Sequence, residues 1–298
     1  MGLMSHLDLA AGALAHPPET PDIVILTETK LNPHAHHSSA GKQVRNLLPD
    51  HAMFMGSCPL RGQRTHGGIV LCISKKYATP YRALRTDAPS GLDGHVIHCT
   101  LAPPGCTNSH IYAVYMPEDR ALRLKIYSYL ETEAQQNHVN GEYMVVGGDW
   151  NATLFQNDRS NRSEDAADTM HRMRCAAIHM APVAGHSEER PHTFFRMGDS
   201  GPVTSSRIDD VLCPSRQART GLPHATERTH EVGGSLDHRM LITSCPPSLL
   251  GIPHLSVAST AAPRPDTPPA LKLPIAKGQL RATTDRIEAE LSAQLHDQ

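Results

Sequence analysis

Four polar clusters stand at the ends of apolar runs, and their residue types could hold a hard cation and activate water. Glu28 closes IVILTETK, Asp149 and Asn151 close YMVVGGDWN, Asp209 lies in SSRIDDVL, and Asp237 with His238 opens SLDHRML. Carboxylate oxygens are ligands for hard divalent cations, and a carboxylate accepts a proton from water. Glu28 suits a primary ligand, Asp237 a position near the metal, and Asp149 a base. Oxygen-only ligands favour magnesium or manganese. Each cluster alone has a plainer reading. GGDWN is then a turn made by Asp and Gly, DHR a surface ion pair, and Glu28 with Lys30 a solvated edge.

The elements that must bring these clusters together are mostly short strands. Apolar runs predict strands at Ile23–Thr27, Gly68–Ile73, Val96–Leu101, Ile111–Met116, Tyr143–Val146, His192–Phe195, Arg207–Cys213 and Arg239–Thr243. One helix is clear between two of them. Pro117, Glu118 and Asp119 open it, Leu122, Ile126, Tyr129 and Leu130 recur at helical spacing, and Asn140-Gly141 ends it. A second helix is predicted around Asp165–Ala177. Many strands with few helices between them imply packed sheets with helices outside, and strand ends are where distant segments of an α/β fold converge.

Composition narrows the class. Hydrophobic residues are 39% and charged residues 19%, which suits a folded chain rather than a disordered one. A net charge of −2 is not that of a strongly basic nucleic-acid binder, although a local basic rim with a bound metal can serve a phosphate. The 7 cysteines contain no CxxC pair and several sit in apolar runs, so reduced thiols in an intracellular compartment are expected. The N-terminus makes a poor signal peptide, so the protein is read as not secreted. No stretch approaches the roughly 18 apolar residues of a membrane span. Prolines from Pro246 to Pro274 mark a linker, and Leu280, Ile287, Leu291 and Leu295 form a narrow apolar stripe. The predicted division is a domain over residues 1–245, a Pro-rich linker over 246–277 and a C-terminal helix over 278–298.

The order LTETK, GGIVLCISKK, VYMP, GGDWNA, HTFFR, SRIDDVL, SLDHRML resembles that of the endonuclease/exonuclease/phosphatase superfamily. The likeness is to apurinic endonucleases and, more closely, to the endonuclease domains of non-LTR retrotransposons, over roughly residues 6–245. The resemblance implies an α/β fold, a two-layered β-sandwich flanked by helices in the four-layer deoxyribonuclease-I-like arrangement. It implies that Glu28 binds the catalytic metal, Asp149 orients or deprotonates water, and Asn151 positions Asp149 and the phosphate. Tyr115 then faces the scissile phosphate, Asp209 pairs with the catalytic histidine, and Asp237 and His238 form the terminal motif. A carboxylate partner at Asp209 would keep His238 cationic, and a cationic imidazole stabilises charge on phosphoryl oxygens.

Two departures stand out. The family begins with a core strand ending in an asparagine. Here the residues after Met4 read as the helix that follows it, so the first core strand is expected to be absent and a sheet edge left open. Asp210 stands where an aromatic or apolar residue is usual. Period-2 alternation turns it away from Asp209, as a solvated or paired surface acid. The His34–His37 run reads as a solvated loop. Arg61 and Arg64, with Arg159, Asn161 and Arg162, are the candidates for phosphate or DNA contact.

The expected function is magnesium- or manganese-dependent phosphodiester hydrolysis, with nicking of DNA in a retroelement-like context first. A phosphatase or phosphodiesterase on small or lipid phosphates is one alternative, and an inactive, truncated remnant the other. DNA is the expected partner, with no membrane, and a C-terminal neighbour such as a reverse transcriptase is expected outside this chain. A nuclear location follows from the resemblance.

Overall fold

The structure, a computed structural model, describes residues 21–29, 39–56, 60–61, 64–65, 67–160, 165–184, 190–198, 201–221, 226–230, 240–244 and 250. The chain separates into two units, Met1–His254 and Leu255–Gln298, and the described residues all lie in the first. The expected linker and C-terminal helix therefore fall outside the described residues.

In chain order the elements begin with β1 (Ile23–Leu26), α1 (Ser39–Leu47), β2 (His51–Met55), β3 (Leu60–Arg61), β4 (Arg64–Thr65), β5 (Val70–Ser74) and α2 (Lys75–Ala78). Next come β6 (Leu84–Thr86), β7 (Val96–Leu101), β8 (Ser109–Tyr115), α3 (Arg120–Asn140) and β9 (Tyr143–Asp149). Then follow α4 (Ala166–Ala177), β10 (Met180–Pro182), β11 (Phe194–Gly198), β12 (Gly201–Ser206) and β13 (Asp209–Pro214). Finally come α5 (Ser215–Gly221), β14 (Thr226–His230) and β15 (Met240–Ser244).

Two sheets carry the site. One has six strands in the order β10-β13-β9-β8-β7-β6, and the other has three in the order β1-β5-β2. β8 and β9 are parallel, which requires a crossover, and α3 supplies it. The neighbouring pairs β7–β8 and β9–β13 are antiparallel. Among the described residues β1 lies at a sheet edge. Residues 1–20, on which the expected loss of a first strand rests, lie outside them.

Strand alternation separates three apolar layers. Ile69, Leu71 and Ile73 of the small sheet pack on Ile97, Cys99, Ile111, Ala113 and Cys213 of the large one. The opposite face of the large sheet carries Tyr112, Val114, Met144, Val146 and Leu212, covered by Ile126, Tyr127 and Leu130 of α3 and Cys175 of α4. The outer face of the small sheet, with Val24, Val70 and Cys72, is covered by Val44 of α1 and Leu48. The result is helix, sheet, sheet, helix: a two-layered β-sandwich flanked by helices. Burying a side chain such as Ile126 contributes about 1.5–3 kcal/mol.

Local chemistry moves several predicted boundaries. α3 begins at Arg120 rather than at Pro117, because Asp119 is its N-cap and accepts from the Leu122 backbone N–H at 2.9 Å. It ends at Gly141, whose φ of 70° is the left-handed cap. Asp165 caps α4 in a reciprocal capping box with Asp168. β9 runs past Val146 through Gly147 and Gly148 to Asp149, where the glycines hide the strand pattern. β13 starts at Asp209 rather than Arg207, because the Arg207 N–H leaves the ladder for the Asp158 carbonyl. α1 starts at Ser39, and the His34–His37 run lies outside the described residues. Cys72, Cys99, Cys106 and Cys175 are reduced thiols, and burial pushes Cys72 and Cys99 up to about 12.

Candidate active site

The site is built as a row. In the ladders, Tyr115 of β8 is the register partner of Asp149 of β9, and Asp149 is the partner of Asp209 of β13. Register partners put their side chains on one face. That face is the inner one, shared with Ala113 and Val211 two residues away and Val145 four residues away on the same three strands. Tyr115, Asp149 and Asp209 therefore stand side by side at the rim between the sheets.

The small sheet contributes Glu28. It lies two residues beyond β1, exposed, with a φ of 51°, a left-handed conformation that non-glycine residues seldom adopt. The turn is fastened behind it: the Thr29 N–H donates to the Gly68 carbonyl at 3.0 Å, and the Gly68 N–H to the Gly94 carbonyl at 3.1 Å. The Tyr115 hydroxyl donates to Glu28 Oε1 at 2.6 Å, joining the two sheets across the site. Burial raises the Tyr115 pKa above the ordinary tyrosine value, the hydrogen bond to Glu28 raises it further, and so do the charges of Glu28, Asp149 and Glu118. The hydroxyl stays a donor.

Asp149 is 1% exposed, and its carboxylate is aimed by the next turn. The Asn151 backbone N–H donates to Asp149 Oδ1 at 2.8 Å, and its side-chain amide to Oδ2 at 3.5 Å and to the Met116 carbonyl at 2.8 Å. Asn151 has a φ of 45°, which asparagine tolerates better than most residues. Both glycines before Asp149 lie in close contact, and Gly148 is sterically required. A Cβ at Gly148 would lie 1.9 Å from the Val114 carbonyl oxygen, and one at Gly147 2.9 Å from Ile25 Cδ1 of the facing sheet. GGD is therefore the end of a strand under close contact, not the turn of the plainer reading.

Asp209 is held through its backbone. Thr193 Oγ1 accepts from the Ile208 N–H at 3.2 Å and the Asp209 N–H at 3.1 Å. Asp210 faces the other side of the sheet, as alternation predicts, but it is 5% exposed rather than solvated. It pairs with Arg190 at 2.5 Å and Arg207 at 3.1 Å, and Arg190 also reaches Asp158 at 3.2 Å.

Other predicted site residues fall in different places. Asp237 and His238 lie outside the described residues, as do Asn161 and Arg162. Arg61 and Arg64 are cross-strand partners on the β3–β4 ribbon. Arg159 is taken up by carboxylates, at 2.7 Å from Asp168 and 3.2 Å from Asp165, and so ties the loop after β9 to the start of α4.

Three supporting residues had no assigned role in the sequence. His95 stacks on Tyr115 with ring centroids 5.8 Å apart. Buried Arg123 donates to the Pro117 carbonyl at 3.0 Å and to the Asn151 carbonyl at 3.4 Å. Thr193 lies in HTFFR, so a motif flagged it without revealing its task. Arg123 sits in a helix with ordinary surface spacing, and nothing local marks it.

Among the described residues no group of three or more His, Cys, Asp or Glu side chains is close enough together to hold a metal ion. Glu28, Asp149 and Glu118 nevertheless all contribute negative charge at Tyr115, from carboxylate oxygens. Hard-oxygen donors of this kind fit magnesium or manganese better than softer metals. A cavity of about 660 Å³ lies elsewhere, beside Glu142 at the opposite end of β9 from Asp149.

Residues 5–240 match the Endonuclease/Exonuclease/phosphatase family, and the chain belongs to that family. No curated protein sequence matches it. Its fold is similar to that of a 3′-5′ exonuclease (NExo) from Neisseria meningitidis, with a TM-score of 0.59 and 16% identity over 82% of this chain and 96% of that one. It is also similar to an AP endonuclease from Archaeoglobus fulgidus, with a TM-score of 0.57 and 14% identity over 82% and 95% of the two chains. The endonuclease domain of TRAS1, a telomere-specific non-LTR retrotransposon, gives a TM-score of 0.50 and 14% identity over 81% and 91%. No helix among the described residues is long and apolar enough to cross a membrane.

Proposed function

We propose that the chain hydrolyses phosphodiester bonds in DNA with the help of magnesium or manganese, nicking internally in a retroelement-like setting. The observation that carries this reading is the row of Tyr115, Asp149 and Asp209 on three adjacent strands, joined to Glu28 of the facing sheet by the Tyr115 hydroxyl. Similarity to an AP endonuclease and to a retrotransposon endonuclease domain supports DNA as the substrate class.

In this reading Asp149 is the base that takes a proton from the attacking water. Its carboxylate is already oriented by the Asn151 backbone N–H, so little reorganisation precedes the transfer. Tyr115, kept protonated, would turn its single hydroxyl donor from Glu28 to a phosphate oxygen when Glu28 takes up the cation. Asp209 pairs with His238 and keeps the imidazole cationic against the charge that develops on the phosphoryl group. Glu28 would hold the cation, with Asp237 near it. Magnesium or manganese bound there supplies charge neutralisation of the phosphate and help to the departing 3′ oxygen. Arg61, Arg64, Asn161 and Arg162 are the proposed DNA contacts outside this set, with Arg159 holding the adjoining loop.

The test is supercoiled plasmid incubated with the protein and magnesium. Nicked circle should form, stop with chelator, and slow by about 10²–10⁴-fold in Asp149→Asn. Nicking that survives either treatment overturns the reading. Release of phosphate from small phosphoesters without nicking moves the substrate class to small phosphates, and inactivity on both marks a remnant.

A further inference from the structure

The row at the site depends on which of two adjacent aspartates faces it, and the apolar pattern of β13 does not decide that. Its sequence is DDVLCP, and Val211, Leu212 and Cys213 are apolar on both faces. Its partner β9, YMVVGGD, is apolar on both faces as well. A slip of one residue between strands turns every side chain to the other face. Here it would put Asp210 at the site and Asp209 under the helices, with apolar residues still buried on both sides.

We infer that Arg190 is a positioning residue that fixes this register by holding Asp210 on the helix side of the sheet. Its guanidinium lies between two carboxylates from distant segments, Asp158 on the loop after β9 and Asp210 on β13. Arg207 takes the other Asp210 oxygen, and its N–H donates to the Asp158 carbonyl at 2.8 Å. Three residues after Arg190, Thr193 accepts from the Ile208 and Asp209 N–H groups. The segment 190–193 thus grips β13 at a side chain on one face and at the backbone beside it.

Stability alone does not explain such a cluster. Asp158, Arg190, Arg207 and Asp210 are all buried, and desolvating buried charges often offsets their attraction. Burial raises the Asp158 pKa even with Arg190 beside it. Apolar residues of similar volume would serve stability as well. What they would lack is a partner specific for one of two neighbouring aspartates. A planar fork matters too, since a lysine cannot bridge both carboxylates in this way.

The inference rests on the proposed reaction for its functional meaning, but its test has a separate readout. In Arg190→Met/Asp210→Asn one positive and one negative charge are removed together, so the net charge of the cluster is kept, and the asparagine amide oxygen can still accept from Arg207 where Asp210 Oδ1 did. The variant should fold, with a melting temperature near that of the wild type. Hydrogen exchange of the β13 amides and their β9 partners should accelerate about tenfold or more. The nicking kcat should fall about 10–100-fold with KM within about twofold. Arg190→Lys should show the same pattern more weakly, and it decides the matter if the double variant does not fold. Wild-type exchange in β13 overturns the inference, and so does a kcat that merely follows the melting temperature. A wild-type chain that does not nick removes the proposed reaction, while the exchange result still decides whether Arg190 sets the register.

Discussion

Asp209 and Asp210 are neighbours in β13, and the two faces of the sheet treat them differently. On the helix side, Asp210 is closed in with two arginines and contributes no reactive group. On the rim side, Asp209 is gripped at its backbone by Thr193, and it stands opposite Asp149 in the ladder. Like charges directly opposite each other on adjacent strands are destabilising. The fold sets two aspartates opposite each other at the rim and closes the third acid, one residue away, in ion pairs. The difference separates a side chain used for chemistry from one used for placement.

The contrast can be broken from either side. In Asp209→Asn the nicking rate should fall about 10²-fold or more, through loss of the carboxylate proposed to hold His238 cationic. The melting temperature should change little, because Thr193 grips the backbone. A plasmid-nicking time course beside a thermal melt checks this. Asp210→Ala should do the reverse to stability, costing about 3–5 kcal/mol by leaving buried arginine charge uncompensated. Denaturant unfolding measures that cost, and a loss below about 1 kcal/mol would mean that the cluster is not closed as described.

Acid sharpens the same distinction, because buried histidines lie on the helix side. Burial lowers His171, packed against Trp150, to about 4. Burial and the charge of His110 lower His98 to about 4 as well. Both are depressed below the unfolded value near 6.5, so the unfolded chain binds more protons between those limits. Stability should be level above about pH 6.5 and fall as pH drops toward 4, by up to about 3 kcal/mol for each histidine. Melting temperatures across that range test the sign, and His98→Gln should remove part of the slope. The smallest expected effect is at the start of α3, where Asp119 caps the helix. Asp119→Ala should cost about 1 kcal/mol through loss of the N-cap and leave the nicking rate of the folded protein unchanged.

Strand ends with acids were legible because apolar runs stop where polar residues begin, and the motif order tied the runs together. The row of Tyr115, Asp149 and Asp209 could be expected from these strings. Elements without an apolar signature were missed. Leu84–Thr86 is exposed at every position. Thr193 was visible inside HTFFR without its purpose. Arg123 and Arg190 gave no signal, because their partners are distant in the chain.

The chain's own order of residues determined which side chains could do chemistry and where the two longer helices are capped. These depend on neighbours a few residues apart, whose sterics and hydrogen bonds are set locally. The tertiary structure decided which aspartate faces the site, that Glu28 meets Tyr115 across two sheets, and that Asp210 is buried with arginines instead of solvated. Each of those depends on register and on packing between remote segments, and an apolar pattern shared by both faces of a strand does not encode register.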